Sequence, residues 1–401
     1  MIGISKLYCG TVEASDLLRY GRDSKKLPAH LLQFSADKKP VVVFNVTNRC
    51  NLKCLHCYAQ AADRPAPDEL TTGQALALLD DLARFGTPVV LFSGGEPLLR
   101  PDLNGLIGHA VGLGLRAVIS TNGTLITRGK AAELKTLGLS YVGISLDGLE
   151  EANDRFRQVE GAFKAALRGI DNCQEAGLKV GLRFTISRRN TAEVPKIFDL
   201  MEERRIPRVC FYHLVYAGRG SALIEEALEP EETRAVVDLI LDRTKQMHQA
   251  GHQAEVLTVD NHCDGPYLYL RLLKEDPRRA AGVLKLLEWN QGNNTGRGIG
   301  CVSWDGSVHP DQFWRHLTLG NVLERPFSEI WTDESIDILR QLRQRQQLLK
   351  GRCAECQWLS ICNGNFRVRA EALTGDLWAP DPACYLTDRE IGLERADQAA
   401  G

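Results

Sequence analysis

Excess charge of either sign is missing from this chain: 49 Lys and Arg face 51 Asp and Glu, for a formal net charge of −2. A balance this close gives no electrostatic case for nucleic acid or an acidic membrane as partner. Long apolar runs are missing too, since no stretch approaches the roughly 20 uninterrupted apolar residues that cross a bilayer. The first residues, MIGISKLYCGTVEASD, have neither the charged start nor the apolar run of a signal peptide. There is no internal repeat and no low-complexity linker. The expectation is a cytoplasmic protein with no nucleic-acid and no membrane partner. At 401 residues and 44% apolar content the chain can bury a large core, with two globular units expected.

Cysteine is abundant, with 12 residues. In a reducing compartment, tightly spaced cysteines read as metal ligands or redox groups rather than structural disulfides. Cys50, Cys54 and Cys57 form one group, and Cys353, Cys356, Cys362 and Cys384 a second. Cys9, Cys173, Cys210, Cys263 and Cys301 stand singly and read as small buried hydrophobes. Cys301, in the glycine-rich GRGIGCVSWDG, is the candidate exception.

From about residue 40 to 215, apolar runs at 41–46, 88–93, 116–121, 141–146, 179–186 and 208–214 alternate with helical patterns. The runs are continuous and Val/Ile-rich, as in parallel strands covered on both sides. Thr71 and Gln74 fit a capping box, with Leu76, Leu79 and Leu82 at helical spacing behind it. Further helices are expected near 102–113, 128–137, 161–176, 192–204, 229–251 and 265–290. Six strand–helix units in succession mean an α/β fold, either a barrel or an open doubly wound sheet, and periodicity does not choose between them. Both architectures build their sites at the strand C-terminal ends.

The segment NRCNLKCLHCY directly follows the first strand, with the spacing Cys-x3-Cys-x2-Cys. Three thiolates on one loop can ligate three irons of a cubane and leave the fourth open for chemistry. A zinc site with His56 as fourth ligand is the bland alternative, made awkward by His56 and Cys57 being adjacent.

On these residues, and on Gly94-Gly95-Glu96-Pro97 after the second strand, residues 40–215 resemble the radical S-adenosylmethionine (SAM) superfamily. The resemblance implies a partial (β/α)6 TIM-like barrel over 40–220. It also implies a [4Fe–4S] cluster on Cys50, Cys54 and Cys57 whose open iron binds SAM, and a reduced donor such as ferredoxin or flavodoxin. SAM contacts are implied for Tyr58, Gly94, Gly95, Glu96, Ser120, Thr121, Asn122, Ser145, Asp147 and Arg183.

The second cysteine group, Cys-x2-Cys-x5-Cys followed by Cys384, resembles one half of the SPASM/twitch extension of that superfamily. It implies a second, auxiliary [4Fe–4S] cluster in a module over 301–401, beyond a helical linking region at 221–300; residues 1–39 form an N-terminal extension. Spacing alone would also permit zinc. Asp311 stands where a further cysteine belongs, so one auxiliary cluster is expected, not two.

The segments at 145–170, 309–333 and 351–386 are similar to the haem-biosynthetic branch of the superfamily. That similarity implies a tetrapyrrole substrate, 12,18-didecarboxysirohaem, losing two acetate side chains to give Fe-coproporphyrin III. Removal of propionates from the same macrocycle, as in haem d1 synthesis, and peptide maturation are the alternatives. Candidates to meet a carboxylate-rich, iron-bearing macrocycle are His213, His309, Phe313, Trp314, Arg315 and His316.

Overall fold

The computed structural model describes residues 1–10 and 39–393. Most of the expected N-terminal extension and the last residues, 394–401, lie outside the described residues. One eleven-stranded sheet organises the rest. Its centre is six parallel strands: β2 (Val41–Thr47), β3 (Val89–Gly94), β4 (Arg116–Thr121), β5 (Tyr141–Ser145), β6 (Val180–Ile186) and β7 (Arg208–His213). They lie side by side in chain order. A doubly wound sheet reverses its strand order at a switch point; this one does not, which decides for the barrel type.

Additional strands extend both sides. Beyond β7 lie β8 (Glu255–Val259), parallel to it, and then β1 (Ile2–Gly3), antiparallel. Beside β2 lies β9 (Ile299–Val302), parallel, followed by antiparallel β10 (Ser307–His309) and β11 (Gly320–Asn321). Strands β1 and β11 are the two edges, so the barrel is partial. The short strands of 299–321 and β8, inside the region expected to be a helical linker, escape a periodicity reading because two to five residues carry little pattern.

Helix α1 (Thr72–Phe85) begins at the expected capping box: Gln74 N–H donates to Thr71 Oγ1, and Thr71 N–H to Gln74 Oε1 at 2.9 Å. Gly86, at φ 84°, ends it in the left-handed conformation. Its buried stripe is Ala75, Leu78, Leu79 and Leu82; Leu76 is only half-buried. Then come α2 (Leu103–Gly112), α3 (Arg128–Thr136), α4 (Glu150–Arg157), α5 (Ala162–Glu175), α6 (Val194–Arg204) and α7 (Pro230–Gln249). The single helix expected over 265–290 is two, α8 (Asp264–Glu275) and α9 (Pro277–Asn290). Pro277 explains the break, because it cannot continue α8 but fits the first turn of α9.

The C-terminal part is packed onto the barrel. Helix α10 (Phe327–Thr332) docks on α1, where buried Asp81 accepts from Ser328 Oγ at 2.7 Å and from Ser328 N–H at 2.9 Å. One apolar cluster runs from Ile2 through the barrel to Ile391, so the sheet and the cysteine-rich module share a core rather than forming two separate ones. No helix among the described residues is long and apolar enough to cross a membrane.

Candidate active site

At the C-terminal ends of the central strands lies a cleft of about 1030 Å³, its open mouth included. Cys50, Cys54 and Cys57 all open onto it. The loop that carries them is held from several directions. Cys50 N–H donates to Ala62 O at 2.9 Å, and Leu55 N–H to Phe156 O at 3.0 Å. Arg219 donates from Nε to Cys54 O and from Nη1 to Ala61 O, at 2.8 and 2.9 Å. A loop fixed this way presents its thiols without an ordering cost when a ligand arrives.

Gly94 and Gly95 line the cleft, but their conformation has a nearer cause than a ligand. A Cβ on Gly95 would stand 2.1 Å from Arg49 O, and one on Gly94, at φ 126°, 2.4 Å from Thr47 O. Glycine there lets the end of β3 lie against the backbone entering the cysteine loop. Gly95 N–H and Glu96 N–H then donate to Thr47 O and Arg49 O at 2.8 and 2.7 Å.

Glu96 itself lies behind the cleft wall, fully buried. Its carboxylate accepts from Thr121 Oγ1 at 2.7 Å, Asn122 N–H at 2.8 Å and Leu98 N–H at 3.1 Å. Burial pushes its carboxyl up to about 7, opposed by those three donors. In this arrangement Glu96 orients the end of β4, bringing Ser120, Thr121 and Asn122 onto the cleft.

Asp147 is also fully buried and behind the wall. It pairs with Arg157 and accepts from Thr185 N–H at 2.8 Å. Arg157, which does face the cleft, donates to Cys54 Sγ at 3.4 Å. Burial alone would lower the Arg157 guanidinium, but Asp147 and the Cys54 sulfur hold it above its ordinary value. Arg157 was not among the sequence candidates: it ends α4, whose sequence EEANDRFR is too polar to read as an element facing a site. Tyr212, Thr185, Asp260 and Gln312, which also line the cleft, were missed as well.

Tyr58, which follows the third cysteine, and the strand residues Ser145 and Arg183 line the cleft. Tyr58 bonds through its hydroxyl to Asn45 Oδ1 at 3.1 Å and Ser93 Oγ at 3.2 Å, and packs edge-on against Phe313. The Arg183 guanidinium lies 4.5 Å from the centre of the Tyr212 ring and has no hydrogen bond or ion pair with a described residue. A half-buried cation with unmatched donors on a cleft wall suits a carboxylate.

Of the candidates for a macrocycle, Phe313 and His213 line the cleft. The others are engaged elsewhere. His309 bonds to Leu317 O and Ser303 Oγ, both at 3.0 Å; His316 pairs with Glu371 at the surface; and buried Trp314 donates to Glu371 at 2.6 Å. Arg315 donates to Ala59 O at 3.0 Å and lies over the Trp304 ring.

Cys353, Cys356, Cys362 and Cys384 line a second, smaller cavity of about 390 Å³, joined there by Cys263. With no polar strand ends around it, this cavity has the donor set for a closed cluster. Cys301 is fully buried and receives a bond from Asn45 Nδ2 at 3.4 Å. The Asp311 carboxylate is used by Thr295 Oγ1, Phe313 N–H and Trp314 N–H, so it caps a turn. Among the described residues, no three His, Cys, Asp or Glu side chains close on one point as ligands of a single ion do. The thiolates of a cubane each bind a different iron and stand further apart. Burial pushes the Cys50 thiol up to about 12, so the thiolates that metal requires come with proton release on cluster assembly.

Comparison with known proteins bears on this geometry. Residues 44–201 match the family described as the Radical SAM superfamily, and residues 295–357 match SPASM, an iron–sulfur cluster-binding domain. The chain is 67% identical over 399 residues to Fe-coproporphyrin III synthase of Methanosarcina barkeri, covering 99% of this chain and 100% of that one. This chain belongs to the radical SAM superfamily. It is 44% identical over 357 residues to Pre-heme d1 synthase of Dinoroseobacter shibae, covering 88% of each chain. The structure of anSMEcpe with bound AdoMet and the Cp18Cys peptide aligns at a TM-score of 0.66 and 18% identity, over 88% of this chain and 96% of that one. SuiB of Streptococcus suis bound to S-adenosylmethionine gives 0.68 and 18%, over 87% and 78%. At that identity the structures speak for the fold alone. The chain is a radical SAM enzyme with a [4Fe–4S] cluster, SAM and an auxiliary iron–sulfur cluster as its cofactors.

Proposed function

We propose that this enzyme removes two acetate side chains from 12,18-didecarboxysirohaem to give Fe-coproporphyrin III. The observation that carries this reading is the 67% identity, over 99% of the chain, to Fe-coproporphyrin III synthase of Methanosarcina barkeri, against 44% to Pre-heme d1 synthase. In this reading Cys50, Cys54 and Cys57 hold the SAM-binding cluster, and Cys353, Cys356, Cys362 and Cys384 hold the auxiliary one. A low-potential donor such as ferredoxin or flavodoxin supplies electrons, in the cytoplasm.

When bound, the first cluster delivers the electron that cleaves SAM to methionine and a 5′-deoxyadenosyl radical. The chain's own residues do the rest of the positioning. Arg183 meets the methionine carboxylate, and Gly94 and Gly95 bring backbone to the same end. Ser120, Asn122 and Ser145 supply hydrogen bonds for the ribose, with Tyr58 near the adenine. Glu96 and Asp147 act one step back, through β4 and through Arg157. The hydrogen bond from Arg157 stabilises negative charge on the Cys54 sulfur. The buried floor under the strand ends keeps water from a reactive radical.

The test is anaerobic: reconstituted enzyme, SAM, reductant and 12,18-didecarboxysirohaem, followed by tetrapyrrole mass and 5′-deoxyadenosine together. Loss of two acetate arms coupled to 5′-deoxyadenosine is the expected result. SAM cleavage beside an unchanged tetrapyrrole defeats the substrate reading and leaves the enzyme class standing. Replacing Cys50, Cys54 or Cys57 with Ala abolishes SAM cleavage; retained 5′-deoxyadenosine refutes that cysteine assignment.

A further inference from the structure

We infer that His213 is the axial ligand by which the active cleft grips the iron of its tetrapyrrole substrate, through Nδ1. The inference rests on the tetrapyrrole reading above and adds to it the point at which the macrocycle is anchored.

His213 is the last residue of β7, lines the cleft and is 7% exposed. Its Nε2 lies 2.9 Å from Oδ2 of Asp264, which is fully buried. The other carboxylate oxygen of Asp264 accepts from the Tyr385 hydroxyl at 2.8 Å. Both oxygens of Asp264 therefore face donors, the His213 ring and the Tyr385 hydroxyl, which is the pattern of an acceptor-only carboxylate. A carboxylate facing Nε2 makes that nitrogen the protonated one. The lone pair is then on Nδ1, which has no hydrogen bond with any described residue.

A histidine that gives one N–H to a buried carboxylate and keeps the other nitrogen free is the arrangement of metal-ligating histidines, where the carboxylate fixes the tautomer and raises ligand basicity. Imidazole suits iron, and haem iron in particular. The two histidines of the 309–316 loop, and the other that lines the cleft, do not offer this. His56 also lines it, but its Nδ1 is shut off from the cleft and its Nε2 faces Asp147 at 3.9 Å. Both nitrogens of His309 are bonded, and His316 is paired at the surface.

The surroundings fit a macrocycle held at its metal. Phe313, on the same cleft wall, supplies an aromatic surface for it. The chain of bonds continues from His213 through Asp264 to Tyr385, the neighbour of Cys384 in the second cavity. Anchoring the substrate iron therefore also ties it mechanically to the auxiliary module.

The experiment uses the anaerobically purified enzyme with both clusters present, confirmed by iron content, and two probes: ferric 12,18-didecarboxysirohaem and the same macrocycle without iron. Wild type is expected to shift the Soret band and the ferric EPR signal of the first probe to those of an imidazole-ligated haem. His213→Ala loses that spectrum and binds the iron-bearing probe at least about tenfold more weakly, while its affinity for the metal-free probe stays within twofold or so of wild type. Added imidazole restores the spectrum. His213→Gln, which can still donate to Asp264 and so spares the buried carboxylate, behaves like His213→Ala. An imidazole-type spectrum that persists in both variants, or equal weakening for both probes, overturns the assignment. Failure of wild type to bind either probe removes the tetrapyrrole reading and this inference with it.

Discussion

Replacing Asp147 by Asn separates two roles for a residue that the strand-end rule puts in contact with SAM. In the structure Asp147 is behind the wall, holding Arg157, which in turn donates to Cys54 Sγ. Removing one partner of a buried ion pair costs about 3–5 kcal/mol, because the other charge is left buried and unpaired. Asn keeps an acceptor for Thr185 N–H, whose bond is 2.8 Å, so the low end, about 3 kcal/mol, applies. For a chain of 401 residues, an unfolding entropy of about 2 cal/mol/K per residue turns this into a fall of about 4 °C in Tm. Scanning calorimetry of the anaerobic holoenzyme reads the fall, and titration calorimetry with SAM reads the affinity. The expected pattern is a lower Tm with SAM affinity changed less than about threefold, well under the loss of a direct charged contact. Replacing both residues with apolar ones, Asp147→Leu with Arg157→Met, should recover more than half of the lost stability, since no unpaired charge is left. An Asp147→Asn enzyme with unaltered Tm and a large loss of SAM affinity would refute this reasoning and make Asp147 a direct contact.

Three further outcomes follow from the same geometry. Burial raises the Glu96 carboxyl from 4.5 to about 7, so between those values the folded state binds more protons than the unfolded one and stability falls as pH rises. The loss is on the order of 3 kcal/mol and is complete above about pH 7; unfolding at pH 5 and pH 8 measures it, and Glu96→Gln should flatten the slope, whereas an equal slope in the variant rules Glu96 out as its source. Cys384→Ser should lower bound iron by about four atoms per chain while SAM cleavage capacity at the first cluster remains; unchanged iron defeats the four-cysteine grouping. Arg183→Met should weaken SAM binding about 10- to 100-fold, the worth of a charge-assisted hydrogen bond of about 1.5–3 kcal/mol, with iron content unaltered; equal affinity in titration calorimetry removes Arg183 from the SAM site.

What could be read from the chain alone was whatever its neighbours in sequence carry. The six central strands are Val/Ile runs long enough to hold a pattern, and the loop NRCNLKCLHCY carries its ligand spacing within eight residues from Cys50 to Cys57. Their order in the sheet was open, because a run of strand–helix units is compatible with barrel and doubly wound arrangements alike; the unreversed neighbour order from β2 to β7 decides it. Strand-end position pointed to Ser120, Asn122 and Ser145, strand position to Arg183 and the place after the third cysteine to Tyr58, and all five line the cleft. Motif resemblance put Glu96 and strand-end position put Asp147 on that wall too, and the structure sets both behind it, because neither signal says how deep a side chain lies.

The remainder of the site depends on partners far apart in the chain. Arg157 reaches Cys54 across 103 residues, and His213 meets Asp264 across 51. Neither pair has a sequence signature, and each changes what its members can do. A lone histidine at a strand end is most simply a satisfied polar residue, and His309, bonded at both nitrogens, is one. His213, which lines the cleft, differs from it in that a buried carboxylate takes one nitrogen and the other has no hydrogen bond with a described residue. Chemistry in this fold is therefore set in two steps: the parallel strands deliver short polar side chains to one rim, and charged residues behind the rim, Glu96, Asp147 and Asp264, determine which of those groups are free to meet a ligand. By this reasoning, exchanging a residue on the rim should alter affinity for one ligand, whereas exchanging one of the three carboxylates should alter stability and ligand geometry together.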